Sequence, residues 1–430
     1  MQRIYSLIVL LLMGMGISAQ QVAKAQKGTF LLKNATIHTI SKGDMVGDVL
    51  VKDGMIADVG TNLSAPGATE VDLTGKHLYP GFIDGGTRLG LSEVGSVSLT
   101  QDYSEIGDFI PHMQALTAVN PNSVAIPVTR TNGVTTVIAA PTGGLFPGTA
   151  ALIDLVGYTP EQMYGGFKGI VMNYPSSGRR GRWDRRSDDE IKKAEEKALK
   201  KLNEIIEKAR LYAKIDSAGN AVKKERNDYN PQMDALVPVI KGEATLMIEV
   251  NKDKDIKSAI NWVRENKVKA ILTGVAEGYR VAKELAESGI PVITGPVLST
   301  PSRSSDRYDA PYANAGKMLA AGVKVAIRTM ETENVRNLPF NAAFAAAYGM
   351  GVEEALKAIT IVPAEIFGVA DKYGSIEKGK FANLMVSNGD PFETKTDIEH
   401  LFIRGWKIPL ESRHTLLYDE FLERSPGLKD

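Results

Sequence analysis

At 430 residues with 43% hydrophobic content, the chain can bury one large core and a smaller annex, and a closed α/β barrel of about 250 residues fits within it. Lysine plus arginine total 51 and aspartate plus glutamate total 51, which excludes the basic footprint of a nucleic-acid or anionic-membrane binder and points to a small-molecule or protein partner. The lack of cysteine excludes disulfides, thiolate metal sites and an acylated-cysteine anchor.

Arg3, the apolar run from Ile4 to Ile17 and the small residues Ser18-Ala19 have the layout of a secretory signal occupying residues 1–19. The run is shorter than the roughly 20 residues of a spanning helix, so the expected product is exported and periplasmic, without a membrane anchor. From Thr29 to Val71, "TFLLKNATIHTI" and "GDVLVKDGMIADVG" are short strand-like runs, and Asp53-Gly54 between two of them predicts a type I′ hairpin. Near the other end, "GSIEKGKFANLMVSNGDPFE" and "DIEHLFIRGWKIP" have the same character. The two β-rich ends, 28–77 and 380–430, are expected to pair into one composite β-sandwich domain.

The middle, 78–379, alternates between strands and helices. Apolar runs at Gly133–Pro141, Ala244–Val250, Val268–Gly274, Ile290–Gly295 and Val323–Thr329 suit strands buried on both faces. "AEGYRVAKELAESG" and "APYANAGKMLAAG" are helical pieces stopped by Gly289 and Gly322. The alternation predicts an α/β fold with a (β/α)8 TIM-like barrel, a doubly wound sheet being the alternative. Ser187 and Glu190 form a capping-box signature that opens a long amphipathic helix, with apolar positions at Ile191, Ala194, Ala198, Leu202, Ile205, Ala209 and Tyr212. Its narrow stripe predicts a helical insertion over 187–227 outside the barrel ring, with a solvated face carrying the pairs Glu196/Lys200 and Glu204/Lys208.

Just before it, Arg179, Arg180, Arg182, Arg185 and Arg186 surround Trp183, a composition that can hold phosphate, carboxylate or sugar acids, or pair with nearby acids as a solvated loop. The loops Pro141–Gly144 and Gly295–Arg303 follow strands, where barrels build their sites.

With Pro80-Gly81-Phe82-Ile83-Asp84 at the head of the barrel and "GSIEKGKFANLMV" and "GDP" at its tail, the chain resembles the amidohydrolase superfamily. It looks most like the exported, imidazolonepropionase-like members, a likeness that extends through "EGYRVAKELAESGIPVITGP" and "NVRNLPFNAAFAAAYGMGVEEALKAITIVPAEIFGV". The resemblance implies a sheet domain split between both termini beside the barrel. It also implies hydrolysis of non-peptide carbon-nitrogen bonds by zinc or another divalent metal. That ion is held by His-x-His after the first strand, histidines on middle strands and an aspartate after the last.

At those positions this sequence carries Gly86 and Arg88, then Glu249, then Thr273 with Gly274, then Thr329, Met330 and Glu331. His38, His77, His112, His400 and His414 fall elsewhere. The expectation is a barrel that carries no metal cofactor: a pseudoenzyme that binds a small ligand, as a homo-oligomer or in a hetero-assembly with an active relative. The alternative is a working hydrolase of cyclic or linear amides using carboxylates or an unrecognised ligand set. Thr87, Ser92, Glu93, Glu249, Thr273 and Glu331 lie near strand ends without a histidine to complete a triad, so catalytic residues stay unassigned.

The pocket candidates are Asp84, Gly86, Arg88, Glu249, Thr273, Arg328, Met330 and Glu331. An unpaired buried carboxylate costs several kcal/mol. Arg88 is therefore expected to point into the mouth and pair with Glu249 or Asp84, with Arg328 as the other partner for Glu249. The competing arrangement swings Arg88 out to solvent.

Overall fold

The structure, a computed structural model, describes residues 24–178, 184–221 and 229–424. The predicted signal 1–19, Arg179, Arg180, Arg182 and Trp183 of the arginine-rich loop, residues 222–227 and residues 425–430 lie outside the described residues.

The chain begins with β1 (Phe30–His38), β2 (Asp44–Lys52), β3 (Met55–Gly60), β4 (Thr69–Asp72) and β5 (His77–Pro80). β2 and β3 are joined at Asp53 and Gly54, whose φ values of 52° and 82° are those a type I′ turn demands. Beyond Pro80 the chain enters a second sheet. Its strands are β6 (Phe82–Thr87), β7 (Val134–Ala139), β8 (Gly148–Asp154), β9 (Tyr164–Asn173), β10 (Thr245–Val250), β11 (Ala270–Gly274), β12 (Val292–Thr294) and β13 (Val325–Ile327).

These strands pair in sequence from β6 to β13. The circle closes through the Met330 amide on Gly86 O (2.9 Å) and the Arg88 amide on Glu331 O (2.9 Å). The alternation has one exception: β8 runs antiparallel to both β7 and β9. Gly143 and Gly144, at φ 97° and 57°, turn the chain back after β7 with no intervening helix. Ile83, Ile138, Leu152, Phe167, Met247, Ile271 and Ile293 fill the interior, and Phe367, Val369 and Tyr373 pack against them at the end opposite the mouth. Only the end at the carboxyl termini of the parallel strands is left open, the end where this architecture places its sites.

The chain then returns as β14 (Leu384–Ser387), β15 (Ile398–Ile403) and β16 (Trp406–Ile408). β14 lies antiparallel on β5, giving the order β16-β15-β14-β5-β1-β2-β3, with β4 also on β1. Hydrogen bonds thus join both ends of the chain in one curled sheet instead of two separately bonded layers. It folds over its own core of Leu32, Ile37, Val49, Ile56, Leu384 and Phe402. The curl brings the rings of Phe30 and Phe402 to 5.2 Å although β1 and β15 are not neighbours.

The sheet is stitched to the barrel by the buried Asp154 carboxylate, which accepts from Thr136 Oγ1 (2.9 Å), Asn383 Nδ2 (2.9 Å), Tyr373 OH (2.9 Å) and Arg404 Nε. The Arg404 guanidinium also lies over the Phe381 ring, 3.6 Å from its centroid.

The long helix, Asp188–Ala221, starts at the predicted capping box: the Ser187 amide and hydroxyl donate to Glu190 Oε2 at 2.7 and 2.9 Å. Its predicted place outside the ring is corrected. It lies in the connection between the parallel strands β9 and β10, and Leu202, Ile205, Ile206 and Ala209 are buried in the main core. Trp262 Nε1, on the helix Asp253–Asn266, donates to Asn203 Oδ1 at 2.9 Å. Ile206 beside Leu202 and Ile205 widens the stripe enough to cover barrel surface. The charged face is exposed as expected, but its charges pair as Lys200–Glu204 (4.0 Å) and Arg210–Glu207 (2.8 Å), while Lys201 reaches Asp108.

Candidate functional site at the barrel mouth

The first strand ends in Asp84-Gly85-Gly86-Thr87, and each residue has a distinct constraint. Asp84 is fully buried: Oδ1 accepts the amides of Gly86 (3.0 Å) and Thr329 (3.1 Å), and Oδ2 accepts Thr329 Oγ1 (2.6 Å). Burial pushes its carboxyl up to about 7, against the pull of these donors and of the Arg328 charge. Asp84 therefore ties β6 to the end of β13 and does not line the open cavity. A Cβ on Gly85 would come within 2.5 Å of Ile293 Cγ2, and one on Gly86 within 3.0 Å of Arg328 Cδ. The stem of Arg328 occupies the space that a side chain at position 86 would need.

Arg328, 6% exposed, reaches across the mouth. Its Nη2 donates to Glu249 Oε1 at 2.8 Å and its Nε to Gly295 O at 3.3 Å. Glu249 also accepts Thr273 Oγ1 (2.8 Å) and Asn251 Nδ2 (3.2 Å). Burial raises the Glu249 carboxyl, but the Arg328 charge and these hydrogen bonds outweigh it, and the group sits below the usual glutamate range. Gly274 makes room: at φ 82°, a Cβ there would lie 2.5 Å from Glu249 Oε1. The ion pair predicted for the mouth exists, and its cation is Arg328.

The expected pairing of Arg88 with Glu249 or Asp84 is corrected. Leu89 N bonds Thr87 Oγ1 and ends the strand, so Arg88 leaves the barrel axis toward the loop that carries Tyr103. Its Cζ lies 4.5 Å from the Tyr103 ring centroid, and its Nε is buried with no hydrogen-bond partner. The side chain is half-buried, so it does not swing into bulk solvent either. Met330 borders the cavity with φ 54°, a strained value for a residue with a side chain, while Glu331 is exposed and lies off the cavity wall.

Two cavities share the Arg328–Glu249 pair as their partition. One, about 280 Å³, is bordered by Gly86, Arg88, Thr142, Asn173, Thr273 and Met330. The other, about 240 Å³, is bordered by Asn251, Tyr279, Thr294, Ser299, Asp306 and Asn314. Both predicted wall loops contribute, through Pro141-Thr142 and through Gly295, Pro296, Val297, Ser299 and Thr300. The second loop is pinned by Arg303, which donates to Glu277 (2.7 and 2.5 Å) and to Asp253 (2.8 Å). Asn173 was identifiable only as the last residue of an unpredicted strand, and nothing in the sequence marked Tyr103.

The remaining candidates stand apart from the mouth. Thr87 is spent on Ile138 O (3.1 Å) and Glu93 on Asn120 Nδ2 (3.0 Å). His38 bonds His77 (2.9 Å) and Asp44 (2.9 Å) in the composite sheet, and His414 sits on the C-terminal helix, 3.5 Å from Arg336 Nη1. Arg186 is paired with Asp184 (2.6 Å).

The donor set does not fit a divalent ion. Among the described residues no three His, Cys, Asp or Glu side chains converge on a metal position. Of the acids near the mouth, Asp84 is saturated by amide and hydroxyl donors and Glu249 by a guanidinium, which sets a positive charge where a dication would need ligands.

The profile of the amidohydrolase family matches residues 246–407. The D-hydantoinase of Geobacillus stearothermophilus is 42% identical over 80 residues, and the imidazolonepropionase of Flavobacterium psychrophilum is 36% identical over 108. These stretches cover 18% and 22% of this chain, and only 16% and 26% of the respective relatives. A crystal structure of an amidohydrolase from Thermotoga maritima superposes with a TM-score of 0.77 at 29% identity, over 88% of this chain and 99% of that one. A barrel entered at Pro80, a sheet shared by both termini and this agreement lead to one assignment: the chain belongs to the amidohydrolase superfamily and is imidazolonepropionase-like in sequence.

Proposed function

We propose that the barrel mouth binds a small molecule and does not use a divalent ion to hydrolyse it, making the protein a pseudoenzyme of the superfamily. The observation that carries this reading is the Arg328–Glu249 pair, with the Arg328 stem packed over Gly86. Restoring an imidazole at position 86 would displace that stem and leave Glu249 without its counter-charge. The pair also splits the mouth into two compartments suited to small ligands. The test is metal analysis of protein purified with added zinc, followed by turnover assays on linear amides, lactams and hydantoins. Less than a tenth of an equivalent of zinc and no turnover are expected, on the order of what too few ligands can retain. Stoichiometric zinc with turnover overturns the reading.

The rival reading is a working hydrolase of carbon-nitrogen bonds. Family membership favours it, as does a carboxyl near neutrality at Asp84. Against it, Asp84 is walled off from the cavity by the residues that bond it. Export through the N-terminal segment and assembly with itself or with a metal-bearing relative complete the proposal. Cell fractionation and size-exclusion chromatography test them, and a cytosolic or strictly monomeric protein counts against each.

A further inference from the structure

We infer that a cavity outside the mouth, bordered by the C-terminal helix Arg413–Glu423, is a second binding site whose ligand is a small zwitterion, an α-amino acid with an apolar side chain. The cavity, about 380 Å³, is within the size range of small-molecule sites and shares no residue with either mouth compartment. The inference therefore stands apart from the ligand-binding reading of the mouth.

The anchor is Ser123, which borders the cavity just before the helix Ala125–Arg130. It is 1% exposed, and its hydroxyl has no hydrogen-bond partner. A hydroxyl can rotate to reach a neighbour, so one that stays buried and unbonded in a cavity wall is suited to a polar atom of a ligand.

The charges around it do not balance one another. Arg336, Arg413 and His414 border the cavity, as do Glu93 and Glu333. Among the described residues, no nitrogen of Arg336 or Arg413 comes within 4.0 Å of a carboxylate oxygen. Glu93 accepts from Asn120 Nδ2 (3.0 Å) and Arg336 Nη1 lies 3.5 Å from His414 Nδ1, contacts that supply no counter-ion. A lone anion would meet the two carboxylates and a lone cation the two guanidiniums, so the wall suits a ligand that carries both signs. The arginines take its carboxylate and the glutamates its ammonium, while Val124, Ala125, Val128 and Leu417 give its side chain an apolar contact.

The C-terminal helix supplies an independent observation. The reciprocal Ser412–Thr415 capping box (2.9 and 3.3 Å) sets Arg413 and His414 in its first turn, yet the helix buries none of its residues. An element held this lightly gains order from a ligand that bridges it to the barrel.

The experiment is calorimetric titration of the full chain with leucine, valine and phenylalanine, each beside its amide, which lacks the carboxylate, and its N-acetyl derivative, which lacks the ammonium. At least one amino acid is expected to bind about tenfold or more tightly than both of its derivatives. Arg336→Gln/Arg413→Gln should bind that amino acid and its amide alike, Glu93→Gln/Glu333→Gln should bind it and its N-acetyl derivative alike, and Ser123→Ala should weaken it several-fold. All three variants should melt within a few degrees of the parent, and hydrogen exchange over residues 413–423 should slow when the amino acid is added to the parent.

Equal binding of an amino acid and its derivatives by the parent, or no binding by any of them, overturns the inference. A preference unchanged in both double variants places the ligand elsewhere and overturns it too. None of these results bears on the zinc and turnover test of the mouth.

Discussion

Replacing Asp84 by asparagine should make the protein more stable, and increasingly so as the pH rises. The carboxyl is buried with its pKa at about 7, against the ordinary 3.8 of an aspartate. Below about pH 4 both folded and unfolded chains hold the proton; between there and about pH 7 only the folded chain does. The contribution of the protonated group is thus complete at the acid end and lost as the pH rises through the folded value. At about 1.4 kcal/mol per unit, the full difference is on the order of 4 kcal/mol above about pH 8, an upper value because the barrel relaxes around a charge.

Asparagine retains the shape and stays neutral. Its Oδ1 can accept the Gly86 and Thr329 amides, while its Nδ2 donates to Thr329 Oγ1, which bonds Asp84 at 2.6 Å in the parent. Urea unfolding of parent and Asp84→Asn, followed by tryptophan fluorescence from about pH 5 to about pH 8.5, reads the difference directly, because other titrations are common to both proteins. The variant is expected to gain about 2–4 kcal/mol relative to the parent across that range. A difference that stays flat, or that moves against the variant as the pH rises, would refute the reasoning and mean that Thr329 and Arg328 dominate burial.

Arg328→Met strands Glu249 and should cost about 3–5 kcal/mol, most of it recovered in Arg328→Met/Glu249→Gln; a single-variant loss under about 1 kcal/mol in urea unfolding would sink the partition role. Because Arg328 holds the Glu249 carboxyl below its usual range, the stability this pair adds is present above about pH 4.5 and is lost on acidification, a slope that Arg328→Met should flatten. Arg404→Ala removes the cation from Asp154 at the joint of sheet and barrel and should cost about 2–4 kcal/mol by thermal unfolding, with Arg404→Lys intermediate. Ile206→Ala should cost about 2–4 kcal/mol if the long helix belongs to the ring, and under about 1 kcal/mol in the same assay if it is an appendage.

The parts of the fold that were legible in the sequence are those where chemistry is local. Asp53-Gly54 specifies its turn by dihedral preference alone, and the apolar runs at Ala244–Val250 and Val268–Gly274 coincide with β10 and β11 because strands buried on both faces have no polar alternation. β8 and β9 were missed: Gly148-Thr149-Ala150-Ala151 and Tyr164-Gly165-Gly166 are small or flexible residues that read as loop until a barrel packs on them. The mouth was legible in composition but not in direction. Gly86, Arg88, Glu249, Thr273, Arg328 and Met330 do border the cavity, but which arginine meets Glu249 depends on a strand ending at Thr87 and on the position of Tyr103, sixteen residues on in the sequence. Neither leaves a mark in residue types.

The pairing of β5 with β14 has a bearing on how the chain is made. Leu384 lies beside Pro80, so a strand finished early in synthesis waits for a neighbour roughly 300 residues later. The barrel can close on itself in the meantime, since β6 meets the end of β13 without help from either terminus. What stays exposed is the edge of β5, with Leu78 and Tyr79, a strip of unpaired amides of the kind that recruits other chains. For most of its synthesis the nascent protein therefore carries a template for aggregation, and the short stretch from Leu384 to Ser387 is the segment that ends this hazard.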